Sequence, residues 1–401
     1  MATPALPRST YALDALNFFL ADVRDGLGPY LAIYLLAVHH WEPGSIGLVM
    51  TLAGLAALVT QTPAGALIDR TEGKRLVVAV AALVVTACCV VLPFIHDFTW
   101  IALTQALSAG AGSIFAPAIA AISLGVTGPK AFTRRTGRNE TFNHAGNACA
   151  ALLAGGFAYL FGPVAVFYLM AAMAVGSVIA VAAVAPGDID HQLARGFDPA
   201  RAAQASGWKA LLSNRALLLF ALCCALFHLA NAAMLPLVSQ KLSQLDLSMA
   251  TPLTSACIVA AQLVMVPAAL LVGAKADDWG RKPLLLAGFA ILPIRGVLYT
   301  LSDNPYWLVA VQLLDGVGAG LFGALLPLVV KDLTAGTGRF NVSLGAVTTA
   351  FGLGAALSNG LAGWVVQEAG YSAAFLTLAG IAAAAVLLLL ALPESLDRST
   401  S

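Results

Sequence analysis

Twelve apolar runs of helix length leave this chain little to become except a bundle of membrane-crossing helices. They fall near residues 14–38, 45–68, 75–95, 98–126, 140–162, 164–185, 215–240, 250–273, 283–301, 305–330, 340–366 and 371–392. Each is close to the ~20 residues needed to cross a hydrocarbon core. The chain is only 10% charged and 60% hydrophobic, whereas a soluble domain carries roughly 25% charged residues. Little of the chain is left for a soluble domain. The net charge of +1 says nothing about nucleic acid, and no basic run supports such a partner, so none is expected. The six cysteines all lie inside apolar runs without CxxC spacing, so they read as small core residues. No cleavable signal peptide is expected, because the first apolar run carries acids.

Lysine and arginine sort to one side. Arg70, Lys74 and Arg75 follow the second run, Lys130, Arg134, Arg135 and Arg138 the fourth, and Lys275, Arg281 and Lys282 the eighth. Lys331 and Arg339 follow the tenth, Arg195, Arg201, Lys209 and Arg215 mark the midpoint link, and Arg8 and Arg398 mark the termini. Only Lys241 belongs to a loop on the other side, while Arg24 and Arg295 lie within runs. The bias predicts a multi-pass protein of the inner or plasma membrane with both termini cytoplasmic.

The longest polar stretch, residues 186–213, divides the chain into bundles of six helices at 1–185 and 214–401. The halves echo each other. Trp100 and Gln105 recur as Trp307 and Gln312, Gly162 and Phe167 as Gly370 and Phe375, and Asp69 as Asp277. Leu20-Ala21-Asp22 recurs as Leu229-Ala230-Asn231. A nearly constant offset predicts a parallel repeat about an axis along the membrane normal.

Two loops then carry a signature. After the eighth run stands Gly273-Ala-Lys-Ala-Asp277-Asp278-Trp-Gly280-Arg281-Lys282, and after the second Gly65-Ala-Leu-Ile-Asp69-Arg70-Thr-Glu-Gly73-Lys74-Arg75. Both resemble the G-x-x-x-D-R/K-x-G-R/K-R/K signature of major facilitator superfamily transporters. The first copy has an extra residue, and the second has Asp278 where a base is usual. The resemblance implies twelve helices in two pseudo-symmetric bundles that move a solute by alternating access, and a functional monomer. It also implies that Asp69 and Asp277 latch the cytoplasmic side, with the glycines admitting close helix contact. Drug/proton antiporters carry an arginine in span 4, where this chain has Ala106-Leu-Ser-Ala-Gly110-Ala-Gly112, and their span 5 glycine pair follows a proline that Gly155-Gly156 lacks.

Charges inside the membrane are costly and mark pathways. Span 1 holds Asp22, Arg24 and Asp25, with Asp14 and Asp22 on one helical face. Asp22 or Asp25 is a candidate proton carrier, and Arg24 a candidate anion clamp or partner for a distant carboxylate. In span 10, Gln312 and Asp315 share a face, and by the resemblance Asp315 is a second coupling acid that pairs with Arg24. Arg295 reads as the structural partner of an acid or of backbone carbonyls. Gln105, His228 and Asn231 are further substrate candidates. Cys224 and His228, four residues apart, form at most a weak metal pair.

The chain carries no nucleotide-binding signature and no catalytic constellation, so neither cofactor nor enzymatic activity is expected. The expected function is proton-coupled export of a small organic solute within a lipid bilayer. Import or facilitated passage of an anionic or metal-linked nutrient is the alternative, and an intramembrane enzyme or a sensor a remote one.

Overall fold

The computed structural model describes residues 8–25, 27–194, 214–334 and 340–395. Within these, the side chains of Asp22, Arg24, Asp25 and Asp69 lie outside the described residues. The described chain is helical almost throughout. It runs α1 (Arg8–Asp25), α2 (Leu27–Ala37), α3 (Pro43–Arg70), α4 (Lys74–Val91), α5 (Phe98–Gly112), α6 (Phe115–Phe161), α7 (Ala165–Ala183) and the short α8 (His191–Ala194). The second half gives α9 (Arg215–Asn231), α10 (Met234–Leu245), α11 (Leu247–Trp279), α12 (Arg281–Leu298), α13 (Pro305–Leu333) and α14 (Phe340–Leu390). Eight stretches among the described residues are long and apolar enough to cross a membrane. Two of the longest helices each serve two spans, turning at a single glycine.

Those glycines explain where the expected loops went. α6 passes Gly128 (φ 70°, ψ 169°) and α14 passes Gly370 (φ 84°, ψ 173°). A side chain at such a φ crowds its own carbonyl, so glycine alone adopts it at no cost. The polar stretch around 127–139, expected as a loop, therefore resumes as helix at once. Arg135 and Arg138 stand on α6 rather than in a connection.

The repeat is visible in local geometry. Gly162 (φ 84°, ψ 172°) matches Gly370. Asp97 caps α5 by accepting from the N–H groups of Thr99 and Trp100, and Asn304 caps α13 by accepting from Tyr306 and Trp307. At the far end, Arg75 donates to the terminal carbonyls of α7, Val181 and Ala182 (3.1 and 2.6 Å). Its counterpart Lys282 donates to Leu390 O at the end of α14 (2.8 Å). A cation at a helix C-terminus satisfies orphan carbonyls and opposes the dipole. The first span of the second half is broken, α9 ending at Asn231 and α10 beginning at Met234.

The chain forms two compact units, Met1–Tyr34 with Leu52–Ala202, and Leu35–Thr51 with Ala203–Ser401. The second unit claims the start of α3 because that segment lies against α14. Thr51 Oγ1 accepts from Gly360 N at 2.8 Å, and a Cβ added at Gly47 would sit 2.2 Å from Asn359 O.

A buried ion pair at the broken seventh helix

In the second unit the break between α9 and α10 assembles a polar cluster. Arg295, on α12, is 2% exposed. Its Nη1 donates to Asp315 on α13 and its Nη2 to Asn231 Oδ1 at 2.6 Å, the last residue of α9. Nε meets Met234 Sδ at 3.3 Å, at the start of α10. The second oxygen of Asp315 accepts from Gln312 Nε2 at 2.9 Å, and Gln312 Oε1 accepts from the Tyr299 hydroxyl. Gln312 and Tyr299 are fully buried, whereas the Asp315 side chain keeps 21% exposure. The charges balance one to one, and the cation sits beside the negative end of α9, where the interrupted ladder leaves carbonyls unpaired.

The backbone holds this arrangement tightly. A Cβ on Gly316 would lie 2.2 Å from Ala261 O, and one on Gly320 2.7 Å from Met265 O. Glycine one turn apart lets α13 approach α11 backbone to backbone, the small-residue packing expected in lipid. The residue before the contact, Asp315, is thereby fixed in height.

Aromatic rings adjoin the cluster. His228, one turn before Asn231 on α9, stacks on Phe351 (centroids 4.3 Å apart, 22° between planes) and meets Phe322 edge-on at 4.8 Å. Phe322 follows Asp315 by two turns on α13. The His228 Nδ1 lies 3.0 Å from the Cys224 carbonyl oxygen. That oxygen can only accept, so in the neutral ring Nδ1 carries the hydrogen and Nε2 a lone pair. Between Cys224 and His228 the structure shows this ring-to-backbone bond, and no group of three metal-ligating side chains occurs among the described residues.

Several sequence expectations change here. Asp315 was assigned to Arg24, but Arg295 takes it, across one helical hairpin. Arg24, Asp22 and Asp25 themselves fall among the side chains outside the described residues. Asp14, expected to border a cavity with Asp22, is 6% exposed and accepts from Arg135 Nη2 and Arg138 Nη2, both at 2.6 Å. Asn139, which accepts from Arg135 Nε, and Asn17 complete that cluster. Gln105, the repeat partner of Gln312, is buried with its Nε2 unbonded.

In the signature loops Arg70 is exposed and Lys74 buried, its Nζ donating to Thr71 O at 2.6 Å. Arg281 bonds Asp277 (2.7 Å) and Asp332 (3.2 Å). Gly280 needs its φ of 93° to begin α12, whereas Gly73 sits at −79°. A Cβ at Gly65 or Gly273 would meet nothing within 4 Å among the described residues.

The family model described as Major Facilitator Superfamily matches residues 11–292 and 246–400. The chain belongs to the major facilitator superfamily. It is similar to the uncharacterized MFS-type transporters MT2531 and Rv2456c of two Mycobacterium tuberculosis strains, CDC 1551 / Oshkosh and H37Rv. Each is 58% identical over 395 residues, 98% of this chain and 94% of the relative. Its fold is similar to crystal structures of the nucleoside transporter NupG (TM-score 0.72, 16% identity, 96% of this chain and 98% of that one) and of a NupG mutant (TM-score 0.81, 16% identity, 96% and 99%). The peptide transporter POT in complex with sulfate is also similar (TM-score 0.75, 14% identity, 98% and 95%). The protein is therefore a multi-pass membrane transporter of the MFS fold, two pseudo-symmetric bundles that move a small molecule.

Proposed function

We propose that this MFS protein is a proton-coupled secondary transporter for a small organic solute, and that Asp315 carries the coupling proton. One observation supports the reading above others: a buried guanidinium is neutralised by a carboxylate that itself keeps an exposed edge. Protonating Asp315 removes its charge and leaves Arg295 uncompensated beside Asn231. A buried cation without a partner is costly, by about 3–5 kcal/mol for a broken pair. The loaded and unloaded forms thus favour different surroundings for Arg295, which is the requirement for coupling a proton to alternating access. Gln312 and Asn231 hold the pair in register, and His228 with Phe322 and Phe351 offers the solute an aromatic wall.

In this reading the bundles 1–185 and 214–401, joined by the cytoplasmic linker 186–213, rock about a midplane site, with both termini on the cytoplasmic side of the plasma membrane and a monomer as the working unit. Asp22, Arg24 and Asp25 serve the path from the first half, and Gln105 mirrors Gln312. Asp69 and Asp277, with their neighbouring glycines and bases, act as the cytoplasmic latch. Export is the favoured direction.

The test uses purified protein in liposomes under an imposed pH gradient, with uridine and dialanine as first probes beside a metabolite mixture. Solute movement that follows the gradient in the wild type, and loses that dependence in Asp315→Asn, supports the proposal. Flux indifferent to the gradient removes it, and reversing the gradient separates export from import.

A further inference from the structure

Gln312 stands between two partners, whereas its first-half counterpart lacks both. Tyr299 follows the last residue of α12 and is fully buried. Its ring packs on Phe375 (centroids 4.9 Å apart), and its carbonyl accepts from Lys241 Nζ at 3.4 Å. Its hydroxyl has one partner among the described residues, the Gln312 amide. The same amide meets Asp315 Oδ2 at 2.9 Å. At the repeat offset of 207 (312 − 105), Leu92 stands for Tyr299 and Ser108 for Asp315. There Gln105 Nε2 is buried and unbonded. The chain Tyr299–Gln312–Asp315 therefore has no copy in the first half.

The direction of this chain depends on the charge of Asp315. An ionised carboxylate only accepts, so the amide nitrogen must face Asp315 and the amide oxygen Tyr299. The Tyr299 hydroxyl then donates, and each link has a donor and an acceptor. Oδ1 is taken by Arg295 Nη1, which leaves Oδ2 to receive a proton. Protonated, Oδ2 becomes a donor and a poor acceptor, and Gln312 satisfies it by turning its amide oxygen inward. The amide nitrogen then faces the Tyr299 oxygen. The phenolic hydrogen is left without an acceptor among the described residues, and a stranded donor in a dry site is costly.

The titratable groups that face Asp315 are Arg295 and Tyr299 from the α12 side and Cys257 on α11, which lies near enough to interact with both Asp315 and Arg295. From α9 the cluster receives Asn231, while His228 turns Nδ1 to the Cys224 carbonyl. From α10 it receives Met234, and from α14 the Phe375 ring against Tyr299. Of these groups, Tyr299 is the one that acts on Asp315 through the orientation of Gln312. We propose that Tyr299 is a positioning residue for the coupling proton: by holding the Gln312 amide in one orientation it opposes loading of Asp315 and so sets the pH at which the proton is taken up. This inference rests on the coupling role proposed for Asp315.

The experiment follows the infrared C=O band of protonated Asp315 in the full-length protein in liposomes across a pH series. The band is identified by its absence in Asp315→Asn. Tyr299→Phe keeps the ring on Phe375 and removes only the hydroxyl. Its midpoint is expected about one pH unit above that of the wild type, the net worth of one hydrogen bond. Gln312→Leu breaks the chain at its middle and is expected to raise the midpoint as well. Adding Tyr299→Phe to Gln312→Leu should then shift nothing further. An unchanged midpoint in Tyr299→Phe, or an equal shift in the Gln312→Leu background, overturns the role of Tyr299 and leaves Asp315 as the proton site. Should Tyr299→Phe fail to fold, an unchanged midpoint in Gln312→Leu overturns it in the same way. A wild type that shows no such band at any pH overturns the coupling role of Asp315 and this inference together.

Discussion

Two carboxylates set against arginine inside the helices, Asp14 in the first half and Asp315 in the second, are held in different ways. In the first half Asp14 serves two guanidinium groups, Arg135 and Arg138, and is almost wholly enclosed. In the second half Asp315 serves one, Arg295, and its own edge stays open. Removing the charge of Asp14 strands two guanidinium groups, whereas removing that of Asp315 strands one, Arg295, and disturbs the amide of Gln312. Under the proposal, the first is a fastening and the second a device on the same scaffold.

The largest effect should come from reversing that assignment by mutation. Asp14→Ala leaves two arginines around an empty centre, one of them 2% exposed. A loss of about 3–5 kcal/mol is expected, read as a fall in Tm or in folded yield. Asp315→Asn strands one guanidinium rather than two and turns one acceptor oxygen into a donor, so it should cost stability too, less than Asp14→Ala, while abolishing gradient dependence. Gradient dependence that survives in Asp315→Asn would erase the distinction.

Next in size is Gly316→Ala. Its Cβ would meet the Ala261 carbonyl at 2.2 Å, so α13 must move or overpack, at about 1–3 kcal/mol. Because Asp315 is the adjacent residue, transport should fall further than Tm alone explains. A variant with a lowered Tm but wild-type flux per folded molecule would uncouple the glycine seam from the ion pair.

Smaller still are the paired turns. Gly162→Ala and Gly370→Ala each force a side chain into the same left-handed conformation, at roughly 1–2 kcal/mol. Matching losses in the two variants would show the repeat in energy as well as in geometry. The smallest pair is the caps. Asp97→Ala and Asn304→Ala should each cost about 0.5–2 kcal/mol, again alike, by thermal unfolding.

The architecture was legible in the sequence because a bilayer allows few solutions. Helix-length apolar runs, a one-sided spread of basic residues and a repeat offset together specify the two bundles. The pairings were less legible. Sequence makes Arg295 the structural partner of an acid or of carbonyls without naming the acid, and by resemblance matches Asp315 to Arg24 instead. The hairpin of α12 and α13 supplied a nearer partner. The Asp14 cluster was missed for another reason: the polar run after Gly128 read as a loop, and only one positive-φ glycine separates two helices there. A signal was present, since Arg135, Arg138 and Asn139 follow helical spacing on one face. His228 was named, but its stacking on Phe351 joins residues 123 apart (351 − 228), which no local pattern displays.

The central claim is that Asp315 is the site where a proton meets transport. It is tested most directly by loading wild-type and Asp315→Asn liposomes with one metabolite mixture, imposing a pH gradient and measuring by mass spectrometry what is gained or lost. The account predicts that the wild type redistributes at least one solute in a direction set by the gradient. It predicts that Asp315→Asn still lets that solute run down its own gradient but ignores the protons. A variant that follows the pH gradient as the wild type does would contradict it.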